Sequence, residues 1–521
     1  MKRILTLILT LTLLCALLLP EAGAVSAQSE SPSSAASAPQ TDAAALPQSP
    51  AAIVPQSAAA SLAEIGVLRG NGVDFALDRA PTRLEAAVIL VRLLGAENEA
   101  ITQFSEEITT NPFADVPDWG APYVAWLYAQ NLTRGTSAAT FSPSSNCRTK
   151  DYIVFILRAL GYSEASEDFT SETALSLAES CGFYTSSLFP QNFKRGDLAT
   201  LTYVSLFSRV KGSSTETLLN SLVKKGAITA SAAQKLQNQY QSGGIRLSSE
   251  GVLFNFAKWK SVFDELSLSA SILQEEVPID LQLTQKGEYF LVSNEALQTL
   301  VSSWSKEYSF KNVPYIFDSY VKGKTEIDFL RCDYQIDEPA AIHDIMNTIM
   351  SGESAAIDIP LTAIRNGRPF SLGSTYVEVD FDNQQLTFFK NGKMVLNSNI
   401  VTGKLDGHQT PTGLYYSHNK LTNCTLVGSD FRVFVKYWIS IIGNVYGFHD
   451  SSWRSVFGGD YYVNDGSHGC INTPDDAMRY LFENLDDGTP VLMYGRNTWY
   501  DVKDPTASPA TKNPLRGQTA K

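Results

Sequence analysis

Cysteine and histidine are scarce in this chain, and long apolar runs are scarcer still. Of 521 residues, 6 are Cys and 5 are His. No two cysteines form a CxxC pair. Once Cys15 is set aside with an N-terminal leader, an odd set remains: Cys147, Cys181, Cys332, Cys424 and Cys470. In an exported chain that argues against a disulfide framework, leaves at least one thiol free and offers no structural zinc site. Positive charge is also short: 41 Lys and Arg stand against 54 Asp and Glu, a formal net charge of −13. Such an acidic chain is a poor nucleic-acid binder. Beyond the N-terminal run, no stretch is long and apolar enough to span a bilayer.

What is present divides the chain. Lys2 and Arg3 precede an apolar run from Ile4 to Leu19, and small residues follow at Val25-Ser26-Ala27, which predicts a secretory signal over 1–27 and no membrane span after cleavage. Residues 28–60 are Ala, Ser, Pro and Gln with little to bury, so a disordered linker is expected. Over 61–212 a unit recurs with drift. Its fullest copy runs from Phe113-Ala-Asp-Val-Pro through Trp119 and an aromatic-rich helix to Phe141-Ser-Pro143 and a second helix at Thr149. The first copy keeps Thr82-Arg83-Leu84-Glu85, which has capping-box spacing, and the third keeps Lys194-Arg195-Gly196-Asp197. Units this small bury their faces only by stacking, which predicts one all-α three-repeat module. A helical linker is expected over 213–244, ending in Ser242-Gly-Gly. An α+β middle domain is expected over 245–362, a mainly β domain over 373–500 and a disordered tail over 501–521. In the β part, Val377, Val379 and Phe381 alternate with Glu378 and Asp380, and Asn391-Gly392 marks a two-residue hairpin.

The repeats, by F-x-D-V-P and T-R-x-E, resemble the S-layer homology family. The resemblance implies a helical prism that binds a secondary cell-wall polymer, with Arg83 and Arg195 as candidate contacts; a solvated helix N-terminus is the other reading of both. The second copy departs, with Arg148-Thr-Lys150-Asp151 in place of the motif. The stretch from about Thr325 to Pro360 resembles the end of a peptidoglycan-binding module that precedes some catalytic domains; a spacer is the alternative.

The chemistry concentrates between Tyr446 and Asn472. Ser467-His468-Gly469-Cys470-Ile471-Asn472 leads into Thr473-Pro474-Asp475-Asp476, a helix start. Cys470 therefore lies where a loop or strand end feeds a helix, with Gly469 letting backbone approach a substrate. A thiol needs a base to become an effective nucleophile. His468 is too near along the chain to face Cys470 from extended backbone, whereas His449 lies a loop away, with seventeen residues between it and Ser467. His449 is the expected base, and the N–H groups of His468, Gly469 and Cys470 are the expected oxyanion donors. A zinc hydrolase using His408, His418, His449 and His468 fits less well, because no H-x-x-x-H helix accompanies them.

His449, the seventeen-residue gap and Ser-His-Gly-Cys-Ile-Asn together resemble the L,D-transpeptidase (YkuD-type) signature. Thr410-Pro-Thr-Gly413 is similar to the family's T-P-x-G turn, and Gly403 to its strand-end glycine. The resemblance implies Cys470 as nucleophile and His449 as base, with the carbonyl of Asp450 or a neighbour orienting the imidazole. Ser467, Gly469 and Asn472 would shape the pocket, and Trp453 and Arg454 are substrate-binding candidates. It implies no cofactor and no metal, peptidoglycan stem peptides as partners, and a cell-wall location. The reaction implied is acyl transfer through a thioester to form 3→3 cross-links. An L,D-carboxypeptidase using water, or a wall-binding scaffold with a vestigial site, are the alternatives.

Overall fold

The computed structural model describes residues 54–70, 74–104, 112–190, 192–273 and 275–495. The expected leader, most of the expected linker and the expected tail lie outside these residues.

Helices occupy the chain from Pro55 to Gly243, and their starts follow local chemistry. Before Arg83–Leu93, Thr82 accepts from Glu85 N while Thr82 N donates to the Glu85 carboxylate, the reciprocal box expected from the sequence. In the fullest repeat, Asp115 takes the N–H groups of Phe141 and Ser142 at 2.8 and 2.7 Å, tying the F-x-D opening to the Phe-Ser-Pro turn. The second-helix starts then interlock in a ring. Arg83 N donates to Ser145 O, Thr149 Oγ1 donates to Pro190 O, and Arg195 N donates to Arg79 O. Each start is thus held by the loop of another repeat.

Two expected boundaries shift. Pro55–Glu64 is a helix that begins inside the stretch expected to be disordered. Pro55 sits at its first position, and Ala58, Ala59 and Leu62 bury as the helix packs on Arg195–Ser205. Residues 213–244 do form the expected helices, Leu218–Lys224 and Ala230–Gly243, capped by Thr217 and Thr229. They are packed structure and not a spacer: Leu218, Leu219, Leu222 and Leu236 are buried, and Tyr240 stacks on Phe207 with centroids 3.8 Å apart. The double glycine closes the second helix, with Gly244 at φ 63, and feeds Ile245–Ser248 directly.

A single apolar core then continues from Ala58 to Ile359. Polar contacts cross the same junction: Thr185 with Asn294 at 3.1 Å, and His343 Nδ1 donating to Leu188 O at 2.7 Å. The middle region is α+β as expected. One antiparallel sheet orders Ile245–Ser248, Gly251–Asn255, Tyr289–Ser293 and Leu283–Lys286. A long hairpin, Phe310–Ser319 with Gly323–Ile336, reaches from this region to the C-terminal β part.

The C-terminal part holds a five-stranded sheet in the order Lys393–Asn399, Gln385–Lys390, Tyr376–Asp380, Pro490–Tyr494, Gly413–Tyr416. Beside it lies a four-stranded sheet in the order His418–Val427, Arg432–Ile442, Tyr446–Asp450, Ile471–Thr473. Val377, Val379, Phe388, Ile439, Phe448, Ile471 and Met493 fill one core with Met478 and Leu481 of the helix Asp475–Asn484. Asn391 and Gly392 both have positive φ, as their hairpin turn requires. His418–Val427 was not legible as a strand, because its polar residues do not alternate with apolar ones; its pairing with Arg432–Ile442 makes it one.

The alternation over 377–381 predicts that Glu378 and Asp380 face water, yet both are fully buried. The tip of the long hairpin covers that face. Glu378 Oε1 accepts from Ser319 Oγ at 2.6 Å and Tyr494 Oη at 2.5 Å, and Lys322 Nζ lies 2.9 Å from Asp380 Oδ1. Hydrogen bonds to a buried charged group contribute about 1.5–3 kcal/mol. Tyr494→Phe is therefore expected to lower the denaturant midpoint of the C-terminal part by a corresponding amount, with the unfolding slope unchanged.

Candidate active site

Ile471–Thr473 is three residues long, yet its backbone is engaged on both sides. Toward one side it runs parallel to Tyr446–Asp450, with Ile471 opposite Phe448 and Asn472 opposite His449. Toward the other, Asn472 exchanges backbone hydrogen bonds with Val401 at 2.9 and 3.0 Å. This pairing sets Cys470, at the entry to the strand, beside the segment that carries His449. Both side chains line one cavity of about 480 Å³, together with Trp453, Arg454, Ser467, His468 and Asn472. Of the expected C-terminal site residues, Gly469 and Asp450 alone do not line it.

The turn before Cys470 is closed by Ser467. Its hydroxyl donates to Cys470 O at 2.5 Å and accepts from Gly469 N at 3.0 Å. The Gly469 N–H, expected as an oxyanion donor, is therefore committed within the loop, because a free N–H in so tight a buried turn needs a partner. Gly469 itself has φ +114, and a Cβ there would stand 2.3 Å from the Tyr446 ring. Close packing on Tyr446, together with the backbone conformation, explains this glycine. At the T-P-x-G turn, Thr410 Oγ1 donates to Gly469 O at 2.9 Å and accepts from Gly403 N at 2.9 Å, so these outlying motif residues support the same loop.

His449 Nδ1 donates to Asp450 O at 2.9 Å, which leaves Nε2 as the acceptor nitrogen of a neutral ring. The Asp450 carboxylate has a different task, accepting from Tyr437 N at 2.7 Å. The imidazole lies between two indoles, Trp438 at 6.1 Å and Trp453 at 5.9 Å. Burial disfavours its charged form and lowers its pKa, against the opposing hydrogen bond to Asp450. Burial likewise pushes the Cys470 thiol up to about 12, although a hydrogen bond from Gly447 N–H to the sulfur acts in the other direction. The thiol donates to Val445 O at 3.6 Å. Burial thus favours the neutral form of both groups, which leaves His449 Nε2 able to take up a proton. A neutral buried imidazole is suited to that role.

His468 is placed differently. Its Nε2 faces Asp430 at 3.3 Å, and its ring packs on Phe431 at 4.6 Å and His408 at 4.9 Å. It joins the hairpin turn to the loop carrying His408, at the cavity rim. Arg454 is held by Asp465 through Nη1 at 2.8 Å, while its Nε and the Asn472 Oδ1 are buried without a partner among the described residues. Trp453 is 52% exposed at the mouth.

The structure does not bring Arg83 and Arg195 to this site. Arg83 lies over Phe141 and Phe155, 4.9 and 5.3 Å from the ring centroids, with its Nε buried and unpartnered among the described residues. Burial lowers its pKa. Arg195 is buried, donates from Nε to Phe75 O at 3.0 Å and pairs with Glu85 at 3.4 Å. Neither is the solvated helix terminus that was the alternative expectation. Sequence reasoning missed Trp438, which no motif marks; only its register opposite His449 reveals it.

Comparison with known proteins adds a family. Residues 374–493 match YkuD, described as the L,D-transpeptidase catalytic domain. The catalytic domain of the Enterococcus faecium L,D-transpeptidase, solved by NMR, is 42% identical; the match covers 23% of this chain and 96% of that one, with a TM-score of 0.22. A middle cell wall protein of Brevibacillus brevis is 30% identical over 133 residues, 25% of this chain and 12% of its own length. A cell surface protein of Thermoanaerobacter kivui is 28% identical over 188 residues, 34% of this chain and 24% of its own. The chain thus spans no more than a quarter of the curated relatives it matches.

The shifted thiol gives a direct test. At pH 8, iodoacetamide should alkylate Cys470 at least about tenfold more slowly than an ordinary cysteine of pKa about 8.5, with the rate climbing above pH 10. Peptide mapping by mass spectrometry reads the rate.

Proposed function

The chain belongs to the L,D-transpeptidase family through residues 374–493, and from that premise we propose that it is an exported, wall-associated cysteine acyl-transferase acting on peptidoglycan stem peptides. The observation that carries the cysteine mechanism is the convergence of Cys470 and His449 on one cavity, with His449 Nδ1 fixed on Asp450 O.

The donor is a tetrapeptide stem. As Cys470 Sγ attacks the carbonyl between the third residue and the terminal D-alanine, its proton passes to His449 Nε2. The imidazolium then protonates the departing amine, free D-alanine leaves and a thioester remains. An acceptor amine attacks the thioester, gives its proton to His449 and forms a 3→3 cross-link, while Cys470 leaves and recovers a proton. The N–H groups of His468 and Cys470 are the remaining oxyanion donors, since Gly469 N–H is engaged by Ser467. Each such donor is worth about 2.7–4 kcal/mol in other acyl-transferases. Arg454 and Asn472 are polar side chains that line the cavity beside Cys470, suited to orienting a peptide substrate. Trp453 provides an aromatic wall beside them. The same intact pair disfavours a scaffold with a vestigial site.

For the helical module the proposed role is attachment to a secondary wall polymer. Its support is the interlocked ring of repeats and the cell-surface relatives that this part of the family comparison brings. Arg83 is the preferred contact with an anionic glycan, because its guanidinium makes no ion pair among the described residues, whereas Arg195 is occupied in joining the repeats.

Two experiments test these readings. Full-length protein incubated with disaccharide-tetrapeptides should yield cross-linked dimers and D-alanine by mass spectrometry, and Cys470→Ala should yield neither. Dimers from the mutant would sink the mechanism, and D-alanine without dimers would make the enzyme a carboxypeptidase. The acid limb of this activity should lie below pH 6.5, because His449 must be neutral to accept a proton and burial lowers its pKa from that value. Co-sedimentation with purified walls should be lost when the secondary polymer is stripped, and should weaken about tenfold in Arg83→Ala, the loss of one charge-assisted contact. Equal binding to stripped walls removes the anchoring role.

A further inference from the structure

The nucleophile loop is held from behind by a buried amide outside every recognised motif. Gln384 is fully buried and sits at φ +50, a conformation that few side chains other than glycine and asparagine accept readily. Its carboxamide is fully used. Nε2 donates to Phe381 O and Thr402 Oγ1, each at 2.8 Å, while Oε1 accepts from Thr402 N at 2.9 Å. Thr402 O in turn accepts from Ser467 N at 3.0 Å, and Ser467 is the residue that clamps Gly469 and Cys470. A continuous path of short hydrogen bonds therefore runs from Gln384 to the nucleophile.

The path extends outward. The turn that carries Gln384 begins at Asp380, whose carboxylate accepts from Asp382 N at 2.9 Å and Asn383 Nδ2 at 2.7 Å. Lys322, at the tip of the hairpin from the middle region, grips this turn with Asp380 at 2.9 Å and Asp382 at 2.5 Å. Backbone strain persists where surrounding structure over-determines it, and it collects near working sites. Here the surroundings are the Lys322 clamp on one side and the Thr402 clasp on the other.

We infer that Gln384 is a positioning residue for the Cys470 loop and that Lys322 secures it, which makes the middle-region hairpin a working part of the active site. The inference rests on the proposed cysteine mechanism for its kinetic readout, but not for its reactivity readout. Neither residue touches the cavity, so their loss changes the geometry of Cys470 and not the shape of the binding surface.

The experiment uses the full chain. Gln384→Met keeps the length of the side chain and removes both donor and acceptor. Lys322→Met with Asp380→Asn replaces the pair at the buried carboxylate by neutral groups, so that only the partly exposed Asp382 loses its partner, and Lys322→Arg is the conservative rescue. Lys324→Met, which breaks the exposed pair with Asp358 on the same hairpin, is the control. For the first two variants the transfer assay should show kcat reduced up to about a hundredfold, as a misplacement near 1 Å can cause, with KM within twofold. The pH dependence of iodoacetamide alkylation at Cys470 should shift in the same variants, whether or not the protein transfers acyl groups. Lys322→Arg and Lys324→Met should match the parent. Folded variants with parental kcat and an unshifted alkylation profile would overturn the inference, as would a loss confined to KM. If Gln384→Met fails to fold, the charge-neutral double variant decides by the same two readouts. Absent transfer in the parent with a shifted alkylation profile would refute the proposed reaction and leave the positioning role standing.

Discussion

Everything at the candidate site depends on a three-residue strand whose backbone has no solvent face. Ile471–Thr473 is buried, and each of its backbone polar groups must find a partner inside the protein. It finds them in Tyr446–Asp450 on one side and Val401 on the other. A slip of one residue would turn Asn472 and Ile471 to opposite faces, placing an amide in the apolar core and Ile471 in the cavity. The pairing that avoids this cost also fixes where Cys470 and His449 stand.

Low polarity around the pair then sets its chemistry. The two indoles beside His449, and the burial of Cys470, raise the cost of charge on either group. Burial therefore works against an imidazolium–thiolate pair at this site. The backbone of the loop is held stiffly in compensation, through Ser467, Thr402 and Thr410, so that little reorganisation is left to the reacting state.

The N-terminal half shows the same economy of partners at a larger scale. Helical repeats that cannot bury their faces alone interlock through their helix starts, and the following helices and the α+β region extend that core instead of starting a new one. Polar residues in this half divide by their surroundings. Arg195 is drawn into the seam between repeats, whereas Arg83 rests on aromatic faces without an ion pair among the described residues. Two arginines from equivalent motifs thereby acquire different surroundings.

Local signals were legible wherever the physics is local. Thr82 and Glu85 cap a helix, Asn391-Gly392 turns a hairpin, and Cys470 with His449 and the intervening gap mark the site, because each depends on residues a short distance along the chain or on a motif of fixed spacing. The strand His418–Val427, the burial of Glu378 and Asp380, and the packing of residues 213–244 were not legible. Each is decided by what lies on the other side of a surface, and alternation or periodicity records only that a face exists. The sequence alone determined which groups are the candidates for chemistry, since that chemistry resides in their side chains. Only the tertiary structure decided the burial that shifts their pKa values, the use of Gly469 N–H within the loop, and the place of Trp438, Gln384 and Lys322 around them. Burial and hydrogen-bond partners come from segments far apart in the chain, and no spacing within one segment encodes them.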